Sequence, residues 1–272
     1  MSLYKLSAFP KTEFGGNKAG VFVNADHLSE QEMQKIAREV GFSETAFVLK
    51  SEIADFKVRF FTPTNEVDLC GHATIATFNL LRDQGMVDVG IYSQETKAGI
   101  LNLRIEKDLV YMQQPAPKFD REIDYKELKH CFKNHHIWDE RFPIQIVSTG
   151  MREIFFPIKD IETLNQLKPN FEEIIEMSIE YNVIGIHAFA IDETVDAYGR
   201  NFAPIVGIKE ESATGTSSGA LSCYLFKYNQ KKESYILRQG YTMNLPSEIY
   251  TELVIENGKI QDVWVGGTAT II

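Results

Sequence analysis

Residues 59–81, RFFTPTNEVDLCGHATIATFNLL, constrain what this chain can fold into more than any other stretch. An apolar run (Val58, Phe60, Phe61) stops at Pro63, and a polar turn follows over 64–68. Cys70-Gly71-His72 then opens a segment, 73–81, with no charged side chain. A helix that is apolar or small on every face is normally buried. Its first turn keeps unpaired N–H groups and the positive end of the helix dipole. The stretch therefore predicts a buried helix whose start, at Gly71-His72, points into an anion-binding or catalytic cleft.

The 272 residues suit one large domain or two of about 130 residues each. A net charge of −10 argues against a nucleic-acid partner, which would call for a basic patch. No run of about 18 apolar residues is present, so no membrane span is expected. The first residues, MSLYKLSAFP, lack the apolar core of a signal peptide. Cys70, Cys131 and Cys223 are odd in number and form no CxxC, which fits a reduced, cytoplasmic compartment.

Taken in order, residues 3–9 alternate as a strand, and the Gly-rich loop 14–20 feeds a second strand at 21–23. That loop has neither GxGxxG nor GxxxxGK[ST] spacing, so no nucleotide cofactor is expected. Ser29-Glu30-Gln31-Glu32 is a capping box that opens a helix running to Val40, with Gly41 as its stop. A strand follows over 42–49. Glu44, at its polar start, is either a solvated loop residue or a half-buried acid/base. Strands are expected near 91–93, 101–105 and 109–112, then a linker over 113–117 and a charged helix over 120–133. His130, His135 and His136 lie near Cys131, but the surrounding charge marks a surface, so no metal site is expected there. Further strands fall at 144–147, 153–158, 187–191, 235–237, 252–255 and 262–265, with helices at 171–181 and 214–226.

The second half echoes the first. An Arg-x-Phe-x-Pro pattern occurs at 59–63 and again at 200–204, an offset of 141. Gly71 and Gly215 open two small-residue helices at an offset of 144, and Ala46-Phe47 returns as Ala188-Phe189 at 142. Together these predict a duplicated unit of about 140 residues, with two helix starts aimed at one cleft.

Four motifs then carry a resemblance: GNKAGV (16–21), SETAFV (43–48), FFTPTNEVDLCGHATIA (60–76) and EESATGTSSGAL (210–221). Ordered and spread over nearly the whole chain, they resemble the PhzF family, the phenazine biosynthesis-like proteins. The resemblance implies an α+β, diaminopimelate-epimerase-like fold. Two pseudo-symmetric lobes would each wrap a mostly antiparallel barrel around a central helix. Residues 1–117 would form the N-terminal lobe, completed by the final strand 262–272, and 118–261 the C-terminal lobe. It implies a cofactor-independent isomerase, often a homodimer, that binds a small carboxylic acid between the lobes and needs no metal. It also assigns Glu44 as the proton shuttle, His72 as its companion and Glu211 as an acidic residue of the other lobe. Glu211-Ser212 stands where the family pattern has Asp-Pro, so the phenazine-pathway substrate itself is not assigned.

The chemistry this suggests is a one-base proton shift by Glu44, partly withdrawn from water by Phe42 and Phe47. Asn17, Gly71, Gly215 and Thr216 would bind the substrate, the helix-start N–H groups holding a carboxylate or an enolate. Two other readings stay open: a non-catalytic small-acid-binding protein on the same scaffold, and a two-base racemase using Glu44 and Glu211. A two-thiol racemase is disfavoured, because the repeat places Thr214 opposite Cys70, which is expected to pack as a small apolar side chain.

Overall fold

The computed structural model describes residues 2–272, which form two compact units. One runs from the start of the chain to Gln113 and takes back Gly266–Ile272; the other is Gln114–Val265. Among the described residues, no helix is long and apolar enough to cross a membrane.

In the first unit, β1 (Ser2–Ala8) pairs antiparallel with β2 (Asn17–Val23). The chain crosses over through α1 (Glu30–Val40) to β3 (Glu44–Leu49), parallel to β2. The capping box on Ser29 and Glu32 starts α1, and Gly41, at φ 71°, ends it in the left-handed conformation that side chains disfavour. β4 (Phe56–Phe61) returns antiparallel to β3, and the short β5 (Glu66–Val67) pairs with its end. Then comes α2 (Gly71–Asp83), followed by β6 (Gly90–Thr96), β7 (Gly99–Ile105) and β8 (Val110–Pro115). β6 lies parallel to β4, and β6, β7 and β8 are antiparallel in turn.

The second unit repeats this order. β9 (Lys118–Glu122) and the one-turn α3 (Tyr125–Leu128) lead into β10 (Gln145–Ser148). β10 pairs antiparallel with β11 (Arg152–Pro157). Crossover helices α4 (Ile161–Asn165) and α5 (Phe171–Tyr181) reach β12 (Ile186–Ile191), parallel to β11. β13 (Ala197–Ala203) and β14 (Ile208–Glu211) return antiparallel. Next are α6 (Gly215–Tyr228), β15 (Ser234–Gln239), parallel to β13, and β16 (Ser247–Glu256). The chain ends in β17 (Lys259–Gly267) and β18 (Ala269–Ile271). β18 pairs with β1 as β9 pairs with β10, so β1 and β10, the corresponding strands of the two repeats, are each flanked by the strand that follows the other repeat in sequence.

Two sequence expectations are corrected here. Residues 113–117 are not a linker: 113–115 close β8, and Gln114 is buried. Residues 120–133 are not one helix: 120–122 belong to β9 and only 125–128 are helical. Pairing with β10, whose partner positions lie 23 to 30 residues downstream, overrides the local helix preference of this charged stretch.

α2 is the buried helix the opening stretch predicts: His72 to Leu81 are all buried. Three of its polar side chains donate back to the carbonyl one turn earlier. Thr74 donates to the Cys70 carbonyl, Thr77 to Ala73 and Asn79 to Ile75. α6 does the same, Ser218 to Thr214 and Ser222 to Ser218. This back-bonding lets an uncharged but hydroxyl-rich helix sit in a core without orphaned donors.

The Arg-x-Phe-x-Pro repeat has a matching structural cause. Arg59 makes a bidentate pair with Glu66 of β5, and Arg200 makes the same pair with Glu210 of β14. Each guanidinium also lies over the aromatic ring two residues on, Phe61 at 5.1 Å and Phe202 at 5.0 Å. In both repeats the pair pins the short strand that leads into the buried helix.

Candidate active site

In the first unit three element starts converge. Gly16, at φ +88°, turns the chain into β2; a Cβ there would lie 2.4 Å from Ser7 Oγ and 2.5 Å from the Ala8 carbonyl oxygen. Only glycine fits, and the next residue, Asn17, is delivered buried at the start of the strand. The β2–β3 register sets Ala19 opposite Glu44. The first turn of α2 supplies His72, 7% exposed.

The His72 ring is the hub. Asn17 Nδ2 is 3.3 Å from Nδ1, and because the amide nitrogen can only donate, Nδ1 accepts and the neutral ring carries its hydrogen on Nε2. Nε2 lies 3.4 Å from Ser43 Oγ and 3.3 Å from Glu44 Oε2. Close as it is, Glu44 Oε2 is a buried carboxylate oxygen that makes no hydrogen bond among the described residues. Such contacts tighten when a ligand arrives. Cys70 Sγ is 3.4 Å from Nδ1 and 3.9 Å from Nε2. Cys70 therefore touches the imidazole as well as packing. Ligand atoms of Glu44, Cys70 and His72 all lie within 4.8 Å of one another, the one such group among the described residues. The Cys70 side chain makes no cap hydrogen bond to the α2 first turn, which leaves backbone N–H groups there to meet an anion.

Phe47 does not wall Glu44. Successive side chains of a strand point to opposite faces, and Phe47 is one residue out of phase with Glu44, packed against Phe22 and Phe61. Burial of the carboxylate comes instead from its place between β2 and the α2 start.

In the second unit, Gly215 and Thr216 occupy the first turn of α6, where Thr214 likewise gives no side-chain cap. Thr149 Oγ1 donates to the Thr216 carbonyl at 3.2 Å. Gln239 clamps the approach to the helix: its Nε2 donates to the Glu211 carbonyl at 2.7 Å and to Thr214 Oγ1 at 3.0 Å, and its Oε1 accepts from the Thr214 N–H. Glu211 ends β14, with its backbone opposite Asn201. Its neighbour Glu210 is committed to Arg200.

Sequence reasoning missed a second polar network, buried behind that turn. Glu153 on β11 accepts from Asn201 Nδ2 at 2.5 Å and from the Ser217 hydroxyl. Asn201 Nδ2 also lies 3.1 Å from His187 Nδ1. All four side chains are buried. Burial pushes the Glu153 carboxyl up to about 7, against the lowering effect of Ser217 and Asn201, and the nearby Glu211 charge pushes the same way. Burial holds His187 neutral, down at about 3. The partners of Glu153 come from 48 and 64 residues away, so no local pattern announces them.

Similarity to known proteins agrees with this architecture. The family model for phenazine biosynthesis-like proteins, PhzC-PhzF, matches residues 6–272. An uncharacterized isomerase of Clostridium acetobutylicum is 36% identical over 296 residues, covering 100% of this chain and 96% of that protein. A trans-2,3-dihydro-3-hydroxyanthranilate isomerase of Pseudomonas chlororaphis is 30% identical over 273 residues, covering 96% of this chain and 94% of that one. The crystal structure of the Bacillus anthracis phenazine biosynthesis protein of the PhzF family superposes with a TM-score of 0.91 at 33% identity, covering 100% of this chain and 98% of its own. At 12–13% identity, where likeness speaks for fold alone, the same α+β architecture extends to racemase and epimerase structures. With its motifs, its duplicated fold and full-length relatives that are isomerases, the chain is an isomerase and belongs to the PhzF family of phenazine biosynthesis-like proteins.

Proposed function

We propose that this isomerase moves a proton between two carbons of a small, partly unsaturated carboxylic acid, with Glu44 as the base. The observation that carries the proposal is the Glu44 carboxylate itself. One of its oxygens is buried 3.3 Å from His72 Nε2 without a hydrogen bond, so a reactive group is held close to its companion yet unsatisfied. Glu44 takes a proton from a carbon next to the unsaturated system, and the C–H electron pair enters that system as an extended enolate. Protonated Glu44 then delivers a proton at the far carbon, and exchange of its acidic hydrogen with solvent between the two steps lets deuterium enter. The substrate's own conjugation is the electron sink, so the scheme draws on no cofactor. His72 carries its hydrogen on Nε2, which orients the Glu44 oxygen it faces. The N–H groups of Gly71 and His72 stabilise negative charge developing on the substrate. Asn17 holds the His72 tautomer. In the second unit, the first-turn N–H groups at Gly215 and Thr216 suit a carboxylate, and Glu211 is a second carboxylate at the mouth of that helix.

The activity named for the Pseudomonas relative, on a dihydro-hydroxyanthranilate, makes partly reduced cyclic carboxylic acids the first class to test. Purified protein is incubated with such acids in deuterated water. Wild type should wash deuterium into the substrate or its isomer, and Glu44→Gln should not. Glu211→Gln separates the two-base reading: if inversion is lost while one-sided exchange persists, both carboxylates act.

A further inference from the structure

We propose that Gln239 is a positioning residue for the start of α6: it holds the Thr214 hydroxyl off its own helix and so keeps the first-turn N–H groups open for the substrate carboxylate. Threonine is a favoured N-cap, its side-chain oxygen accepting from an N–H of the first turn. Ser29 and Asp160 cap α1 and α4 in that way. Thr214 stands at the same position of α6, in extended conformation at φ −125° and ψ 94°, yet makes no such bond. Gln239, at the end of β15 and 2% exposed, accounts for the difference. Its Nε2 donates to Thr214 Oγ1 at 3.0 Å and to the Glu211 carbonyl at 2.7 Å, while its Oε1 accepts from the Thr214 N–H at 3.3 Å. One planar amide thus engages both the hydroxyl and the N–H of Thr214, and the threonine cannot turn back onto α6 without breaking that pair. Gly240 brings the seat close. At φ +81°, it has no room for a Cβ, which would lie 2.7 Å from the Ser212 carbonyl oxygen and 2.2 Å from that of Leu245.

The other buried helix reaches the same state by a different route. The N-cap of α2 is Cys70, whose sulfur is a weak acceptor and lies 3.4 Å from the His72 ring. α6 carries a strong cap residue instead and needs a restraint on it. Without the Gln239 amide, the Thr214 hydroxyl is released to accept from the N–H of Thr216 or Ser217, the second and third residues of the helix. A self-capped helix and a bound carboxylate then compete for the same donors. The link to catalysis rests on the reading that the α6 start binds the substrate carboxylate; the hold on Thr214 does not.

Amide hydrogen exchange in the full-length, ¹⁵N-labelled protein without ligand tests that hold. Relative to wild type, the Thr216 or Ser217 amide should exchange about five- to tenfold more slowly in Gln239→Leu, because Thr214 now caps it. The double variant Gln239→Leu/Thr214→Val has no hydroxyl to cap with and should return to the wild-type rate. A residue that merely braces the turn behaves in the opposite sense, its loss speeding exchange in both variants. Thr214→Val alone keeps Gln239 and should leave these rates unchanged, which tests the inference even if Gln239→Leu does not fold. Unchanged or faster exchange in folded Gln239→Leu, slow exchange that persists in the double variant, or an acceleration of about fivefold in Thr214→Val overturns the inference. Benzoate, titrated against the same amide signals, then tests the competition. Its affinity should fall by about five- to tenfold in Gln239→Leu and recover in the double variant. Equal affinity in wild type and Gln239→Leu overturns the competition. If benzoate leaves the wild-type amides unmoved while exchange follows the expected pattern, the carboxylate reading of the α6 start falls and the hold of Gln239 on Thr214 stands.

Discussion

Glu153 shows how a single buried carboxyl couples stability to pH. Its ordinary value is 4.5 and the folded protein raises it to about 7, so the native state holds this proton more tightly than the unfolded chain does. The sign follows: the favourable contribution is complete below pH 4.5, falls as pH rises toward 7 and is gone above it. The span of two and a half units corresponds to on the order of 3 kcal/mol. Glu153→Gln keeps an acceptor for Asn201, turns an amide N–H toward the Ser217 oxygen in place of the oxygen that accepts from it, and cannot ionise. Denaturant melts of both proteins at pH 4.5 and pH 8 should show the Gln variant gaining relative to wild type by roughly that amount at the higher pH. A constant difference across the range would mean that Glu153 does not titrate there. His187, pushed the opposite way, is common to both proteins and drops out of the comparison. None of this is legible in the residues REIFFP, where Glu153 looks like the polar phase of a strand. The first-unit cluster was more readable, because Asn17, Glu44 and His72 each stand at a strand or helix start marked by glycine or by a polar break. The Cys70 contact to the imidazole was not, since sequence offered only the absence of an opposite thiol.

Three helices were legible in the sequence for local reasons. The capping box and Gly41 bound α1 at both ends, and the charge-free segments announce α2 and α6. β9 was unreadable because what makes it a strand is β10, with Lys118 opposite Ser148 and charged residues on the outward face. The repeated Arg–Glu pairs belong to this scale. Arg200 is nearly enclosed and also donates to the Leu164 and Leu167 carbonyls at 3.1 and 3.0 Å, so it ties α4 and β14 together. Removing one member of such a pair strands the other without compensation, at a cost of about 3–5 kcal/mol. Arg200→Ala should therefore lower stability by that order in urea unfolding. A loss below about 1 kcal/mol would reduce the pair to an ordinary surface bridge.

At the scale of the whole chain, duplication predicted from three weak offsets is visible as the same pairing order in both units. The first unit is closed by the last residues of the chain. β18 lies against β1, Phe9 N–H donates to the Thr268 carbonyl at 2.8 Å, and Asn79 of the buried helix donates to the Gly267 carbonyl at 3.2 Å. Deleting 266–272 would bare the β1 edge and strip these partners from α2. Limited proteolysis of the truncated protein should cut first within 1–113, and intact protection of that segment would contradict this closure.

The central claim is that Glu44 shuttles a proton on a small carboxylic acid, and deuterium exchange tests it most directly. With a partly reduced cyclic acid in deuterated water, wild type should incorporate solvent deuterium while Glu44→Gln, folded and of unchanged shape, should be slower by about 10²–10⁴-fold. Exchange by the Gln variant at the wild-type rate would contradict the account.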